Sequence, residues 1–465
     1  MELTKIQPKI KDLPEVTPIN QESRFNFDEL FFSVTDKKSN ILFANDVFVR
    51  ISKYKEEEIL GQLHKVIRHP DMPRSVFKIF WDHLKANKPV AAYVKNMAKD
   101  GSYYWVMALA FPCDAGYLSI RLKPSCQIFD KVRKIYAETL KLEKQREIGG
   151  DKKKAMQAGE EHLLSLLKEE GFACYDDFMW NALQGEMKSR EDQISKNHYD
   201  NYEHATEEFK TLAELDGYLS NLVCSLVSLK SVYESISGHS GYILALAKSI
   251  VRLSLNAQVN SSKLTDTDQS LSVIAEKMGE QSILGESNLV DLKNIIEKFS
   301  DITGTLNFDI VSAKLQVEMT LEFIRELKDN SNKYDNAELK PEEAKKILYS
   351  AFEPRLKTIC DGLIKIPEYM QGLLTGVKVI ERFLMTLRFI HITGKVEVSR
   401  MASNSAFATT FQSLLEEINT AEGHLNELSD SIVSHKHVVE KFRERHSDLT
   451  QILKNLNISL KQEQH

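Results

Sequence analysis

The side chains best placed for chemistry stand together at 65–73, which reads Lys-Val-Ile-Arg-His-Pro-Asp-Met-Pro. Arg68, His69 and Asp71 put a guanidinium, an imidazole and a carboxylate side by side. Pro70 and Pro73 fix φ and remove two backbone donors, so the stretch is a loop or short turn presenting those groups, not helix interior. An arginine so placed can pair with a phosphate or a ring carbonyl. Nothing nearby extends this to catalysis. The chain has neither a G-x-x-x-x-G-K-[ST] loop nor a G-x-S-x-G elbow. His64, His69 and His83 fall on different elements, and His435 and His437, two apart, lie on different faces of a helix. Cys113, Cys126, Cys174, Cys224 and Cys360 contain no C-x-x-C pair, which points to reduced thiols and away from zinc or a disulfide framework. The chain is read as a non-enzyme.

The elements that position the loop can be read on either side of it. Phe31 to Asp36 and Ile41 to Ala44 read as a strand hairpin, and Asn45 is a good N-cap for a helix carrying Val47, Phe48 and Ile51. Glu56, Glu57 and Glu58 open a second short helix that Gly61 ends. Val76 to Ala86 is a third, with Val76, Ile79, Phe80 and Leu84 inward and Trp81 beside them. Val90 to Asn96, Ser102 to Phe111 and Tyr117 to Lys123 supply three more strands, with Asp100-Gly101 a tight hairpin turn. The expected fold is α+β, a five-stranded antiparallel sheet with short helices on one face, spanning about 25–125 after a flexible segment at 1–24.

The Arg-His-Pro-Asp-Met-Pro run, followed by Lys-Asp-Gly-Ser-Tyr-Tyr-Trp-Val at 99–106, resembles the PAS sensor domain of bacterial aerotaxis receptors. That family is a cytoplasmic FAD-binding redox sensor, and the resemblance carries its pocket residues over to Asn45, Arg68, His69, Asp71 and Trp81. Arg68 would meet a phosphate or a flavin carbonyl, and Trp81 would wall the ring. The family has a second tryptophan where this chain has Val90, although Lys95-Asn96 matches. Haem or an empty pocket are the other occupants the residues leave open.

The chain has 465 residues and a net charge of −6, with no strong basic patch to suggest nucleic acid. The N-terminus has no apolar signal core, and Tyr242 to Ala257, the most apolar helical stretch, is interrupted by Lys248 and Arg252. A soluble, cytoplasmic protein without membrane insertion is expected. Residues 126–195 read as a helical connector: Phe129, Val132, Ile135 and Tyr136 at helical spacing, a break at Gly149-Gly150-Asp151, then two further helices.

The remainder follows an a/d heptad rhythm. Four seams appear: Leu212 to Ile250, Met278 to Val317, Phe352 to Leu387 and Phe407 to Phe442. They are read as two long antiparallel hairpins, 196–330 and 331–465, split by a polar break at Asp329 to Asp335, with Pro367 expected to kink the third helix. Leu253 to Val259 with Val273 to Glu276 resembles the hairpin tip of chemoreceptor signalling domains, with Asn260 and Lys263 where that family has an acid and an arginine. Thr393 to Arg400 resembles a second, eroded copy. The resemblance implies a signal-transduction protein that senses redox state or oxygen and relays it through a monomeric or homodimeric bundle to a partner, the chemotaxis kinase and its adaptor being the candidate. A cofactor-free PAS scaffold acting through protein contacts is the alternative.

Overall fold

A computed structural model describes residues 14–148, 150–194, 206–261, 269–329, 339–400 and 405–462. The N-terminal third builds the sheet that the alternating pattern predicts. Strands β1 (Phe31–Thr35), β2 (Ile41–Ala44), β3 (Val90–Met97), β4 (Tyr103–Cys113) and β5 (Gly116–Leu122) pair antiparallel in the order β2-β1-β5-β4-β3. Gly101 closes the β3–β4 turn at φ +87°, where a Cβ would also meet the Thr17 carbonyl oxygen at 2.2 Å. The segment read as flexible includes Ile19 to Ser23, which hydrogen-bonds alongside Gly101 and Tyr103.

Short helices α1 (Asp46–Ser52), α2 (Glu56–Ile59) and α3 (Arg74–Lys85), with the 3-10 turn His64–Ile67, cover one face of the sheet. The connector forms α4 (Gln127–Glu147), α5 (Lys152–Glu169) and α6 (Tyr175–Gln193). Tyr93 and Trp105, on the opposite sheet face, pack against Phe129 and the ring neighbours Phe178 and Tyr136 of these helices.

Long helices follow: α7 (Glu207–Ser261), α8 (Gln269–Asp329), α9 (Pro341–Ser399), α10 (Ser405–Ser434) and α11 (Lys436–Gln462). Helix α9 is assigned as continuous through Pro367. The chain divides into two compact units. One holds the sheet, the connector, the start of α7, the second half of α8, the start of α9 and residues 451–465. The other holds Cys224–Thr305 and Cys360–Thr450. In each unit the heptad positions are buried: Leu212, Leu215, Leu219, Ile310 and Val317 in the first, Leu292, Phe299, Leu363, Leu373, Leu414 and Leu428 in the second. The first tip's turn at 265–268 and the polar break from 330 lie outside the described residues, as does 401–404 beyond the second tip. Among the described residues no helix is long and apolar enough to cross a membrane.

Three glutamates tie this first unit together by taking over helix caps. Pro73, at the N-cap of α3, has no side-chain acceptor, and Glu143 of α4 accepts from the Arg74 and Ser75 amides instead, at 2.8 and 2.9 Å. Glu186 of α6 accepts from Ser125 and Cys126 at the start of α4 and from the Tyr93 hydroxyl. Glu326 of α8 accepts from the Asp46 amide at the start of α1. Each carboxylate also lies at the favourable end of a helix dipole. Room for Glu143 is kept by Gly159 of α5, whose Cβ would fall 2.5 Å from Glu143 Oε1. Glu143→Ala would strand two amides, and we expect a loss of about 2–3 kcal/mol. Urea unfolding followed by tryptophan fluorescence measures it; a loss below about 0.5 kcal/mol, the size of an ordinary surface change, would mean that water caps α3 equally well.

Candidate functional site

A cavity of about 330 Å³ lies between the sheet and its short helices. Ala108 and Ala110 on β4 and Val94 and Asn96 on β3 form its floor, with Ser33 and Thr35 of β1 and Tyr117, Ser119 and Arg121 of β5 beside them. Period-two alternation puts all of these on one sheet face. Phe77, Phe80, Trp81 and Leu84 of α3 form the opposite wall. Trp81 meets Tyr117 edge to face at 5.3 Å. Lys38 and Lys65 line the cavity while remaining exposed, so positive charge sits at the rim.

Of the five residues nominated from sequence, Arg68 and Trp81 line the cavity and the other three do not. Arg68 donates to the Met72 carbonyl and stacks over Phe77, its guanidinium carbon 4.0 Å from the ring centre. His69 is buried, and its Nδ1 accepts from the Asp71 amide at 3.1 Å, so the ring is neutral on that side. Burial and Lys95 push the His69 pKa down against the pull of Asp71. The Asp71 carboxylate takes the Lys95 ammonium at 2.7 Å. His69 and Asp71 therefore pin the loop to β3 rather than face the cavity. Asn45 does not cap α1 with its side chain. Its Oδ1 accepts from the Phe32 amide and its Nδ2 donates to Glu326 of α8. Val90, standing where the resemblance expects a tryptophan, is fully buried opposite Ala110; the cavity's second aromatic wall is Tyr117.

Sequence reasoning missed the most unusual group. Arg121 is 2% exposed, yet no carboxylate among the described residues pairs with it. It donates to the Ser119 carbonyl, to Ser33 Oγ and to His64 Nε2, the last at 2.6 Å. His64 must therefore be neutral with its proton on Nδ1. His64 is half-buried in the cavity lining; burial, with Arg121 beside it, drives its pKa down to about 3. Burial also lowers the Arg121 pKa to about 10, so the guanidinium stays charged at neutral pH. Phe48 of α1 lies under it, 5.2 Å from ring centre to guanidinium carbon.

The sheet's other face rests on α8. Phe32 and Phe43 meet Phe323 edge to face at 5.0 and 5.5 Å. Arg355 of α9 stacks on Phe111 and pairs with Asp309.

A model of the PAS fold matches residues 41–116. Over 114 residues the chain is 40% identical to the aerotaxis receptor of Escherichia coli (strain K12), covering 23% of this chain and 22% of that protein. It is 31% identical over 74 residues to the nitrogen fixation regulatory protein of Klebsiella pneumoniae, covering 16% of this chain and 15% of that one. The light-state structure of the blue-light photoreceptor Aureochrome1 LOV covers 22% of this chain and 86% of its own, with 18% identity and a TM-score of 0.20. These matches thus span 22% or less of the length of the curated relatives. The chain carries a PAS domain homologous to that of an aerotaxis receptor.

Proposed function

We propose that the PAS pocket holds a flavin, FAD, and that the protein senses redox state or oxygen through it and relays the result to its long helices. The reading rests on one observation: a walled cavity lies behind a sheet whose opposite face packs on α8 through Phe32, Phe43 and Phe323. The lining fits the group. At about 330 Å³ the cavity is at the small end of ligand pockets, suited to a flat ring system and not to a whole dinucleotide. Trp81 and Tyr117 give aromatic walls, Asn96 and Arg121 give polar contacts for a ring edge, and Lys38 and Lys65 at the rim suit phosphates outside. Bound flavin would supply reversible electron uptake, with a change in the ring's charge and hydrogen bonding.

The chain's own part is to read that change. Phe48 ties the Arg121 end of the pocket to α1, and Glu326 ties α1 to α8. A shift of α1 would therefore move a hydrogen-bonded carboxylate on the long helix. The role is non-catalytic and cytoplasmic. Its readout is a helical signalling partner, the chemotaxis kinase and adaptor being the pair to which the aerotaxis likeness points.

The absorption spectrum of the purified protein, before and after dithionite, tests this. The paired near-ultraviolet and blue bands of oxidised flavin, bleaching on reduction, are expected. A Soret band would replace flavin by haem. A plain protein spectrum that FAD does not change would leave a PAS scaffold acting by protein contacts.

A further inference from the structure

We infer that Arg121 is the specificity-determining residue of the pocket, present to receive an anionic or carbonyl-rich acceptor edge of the ligand. A guanidinium carries five N–H donors in a rigid fork, and three bonds are made here, to Ser119, Ser33 and His64. All three acceptors are neutral. A buried charge without an opposite charge is among the least favourable things a fold can contain, and such groups are ordinarily paired. Arg121 meets the condition only in part, through three neutral acceptors and the faces of Phe48 and Phe31.

The surroundings are arranged to keep the charge available. His64, as a neutral ring turned acceptor-first toward Arg121, orients the fork without neutralising it. Glu143, which is buried, and Glu326, which is half-buried, are both taken up at helix N-termini. The cross-strand partners of Arg121 are Phe31 and Ala108, with Ser33 and Ser119 one same-face position along, none of them acidic. A ligand bearing two adjacent acceptors, or negative charge on its ring edge, supplies what the protein withholds. A neutral apolar ligand of the same shape would leave the charge unanswered and be rejected. The inference rests on the flavin reading for the choice of probe, and not for the role of Arg121.

The test replaces Arg121→Met, which keeps length without charge, with Arg121→Lys as the charge-retaining control. FAD affinity is measured by fluorescence quenching on protein freed of flavin, and Tm is measured on the same ligand-free samples. Arg121→Met should weaken FAD binding at least tenfold while its ligand-free Tm is no lower than that of the wild type. Arg121→Lys, which keeps the charge without the fork, should fall between the two in affinity. Unchanged FAD affinity in Arg121→Met would overturn the inference. So would a clear fall in ligand-free Tm, because Arg121 would then be serving the fold. If wild-type protein takes up no FAD, the flavin reading falls, and the Tm comparison still decides whether Arg121 is held for a ligand or for the fold.

Discussion

Replacing Glu318 by alanine is expected to destabilise the PAS-bearing unit by about 3–5 kcal/mol, one of the two largest effects we anticipate in this chain. Glu318 lies on α8, buried between Lys314 one turn back and Arg190 of α6. Arg190 also donates to the Phe27 and Asp28 carbonyls, and Lys314 reaches Asp216 of α7 at 3.2 Å and Glu191 at 3.6 Å. Removing the one carboxylate between two buried cations leaves both without their closest counter-charge. All three tryptophans, Trp81, Trp105 and Trp180, lie in this unit, so urea unfolding followed by their fluorescence reads it directly. A loss under about 1 kcal/mol would show that the cations are served by water, as exposed pairs are.

The same cluster sets a pH dependence. Burial would raise the Glu318 pKa, but Lys314 and Arg190 overcome this and hold it down to about 2. Its contribution is present above its ordinary value and lost as pH falls through about 2. Asp216 goes the other way. Burial and Glu318 raise it to about 7 against the pull of Lys314. Its protonated form is therefore favoured by folding, and that stability is lost as pH rises from its unfolded value through about 7. Asp216→Asn should abolish a decline that sets in near about pH 4, the ordinary value of the unfolded carboxyl, and is complete just above about pH 7, and should change little only below about pH 4. A decline that persists in the variant would place the titrating group elsewhere.

How far the sequence could be read depended on how local the physics was. The strands, the Asp100-Gly101 turn and the loop at 68–73 follow from proline, glycine and period-two alternation within a few residues, and they stand where the spacing puts them. The heptad seams were legible for the same reason: Leu212, Leu215 and Leu219, or Ile359, Leu363 and Ile366, are buried as a/d positions. Arg121 was not legible. Tyr117-Leu118-Ser119-Ile120-Arg121-Leu122 reads as a strand with its polar side in water, yet that side faces the cavity. An arginine in a central strand with no acid directly opposite was the available signal; Ala108 is its β4 partner. Helix α8 misled similarly. Between 311 and 321 every residue is buried, including Lys314, Gln316 and Glu318, because sheet, connector and neighbouring helices surround it. A heptad pattern marks one seam and cannot announce partners from 100 residues away, which is also why the work of Asn45 at Glu326 went unseen.

Leucine in place of Ala110 is expected to abolish FAD uptake, by roughly a hundredfold or about 2.7 kcal/mol of binding, while leaving the fold no weaker. Ala110 sits in mid-sheet between Val90 and Ser119, its methyl at the cavity floor, and Ala108, two residues earlier and between Ala92 and Arg121, lines the floor too. These two small side chains on β4 are part of why there is a cavity at all: an ordinary β4 would bring a branched residue up toward Trp81 and Phe80. Close-packed interiors lose stability when a side chain is enlarged. A cavity of about 330 Å³ instead offers room, and each buried methylene would add up to about 0.8 kcal/mol. Ligand binding and stability should thus move in opposite directions in one variant, which global damage to the fold cannot imitate. Calorimetric Tm and FAD titration on the same preparation decide it. Binding at the wild-type level would place the ligand outside this cavity. A drop in Tm accompanying the loss of binding would mean that the space behind Trp81 is already filled by the moving side chains of α3, and that the pocket opens only as they part.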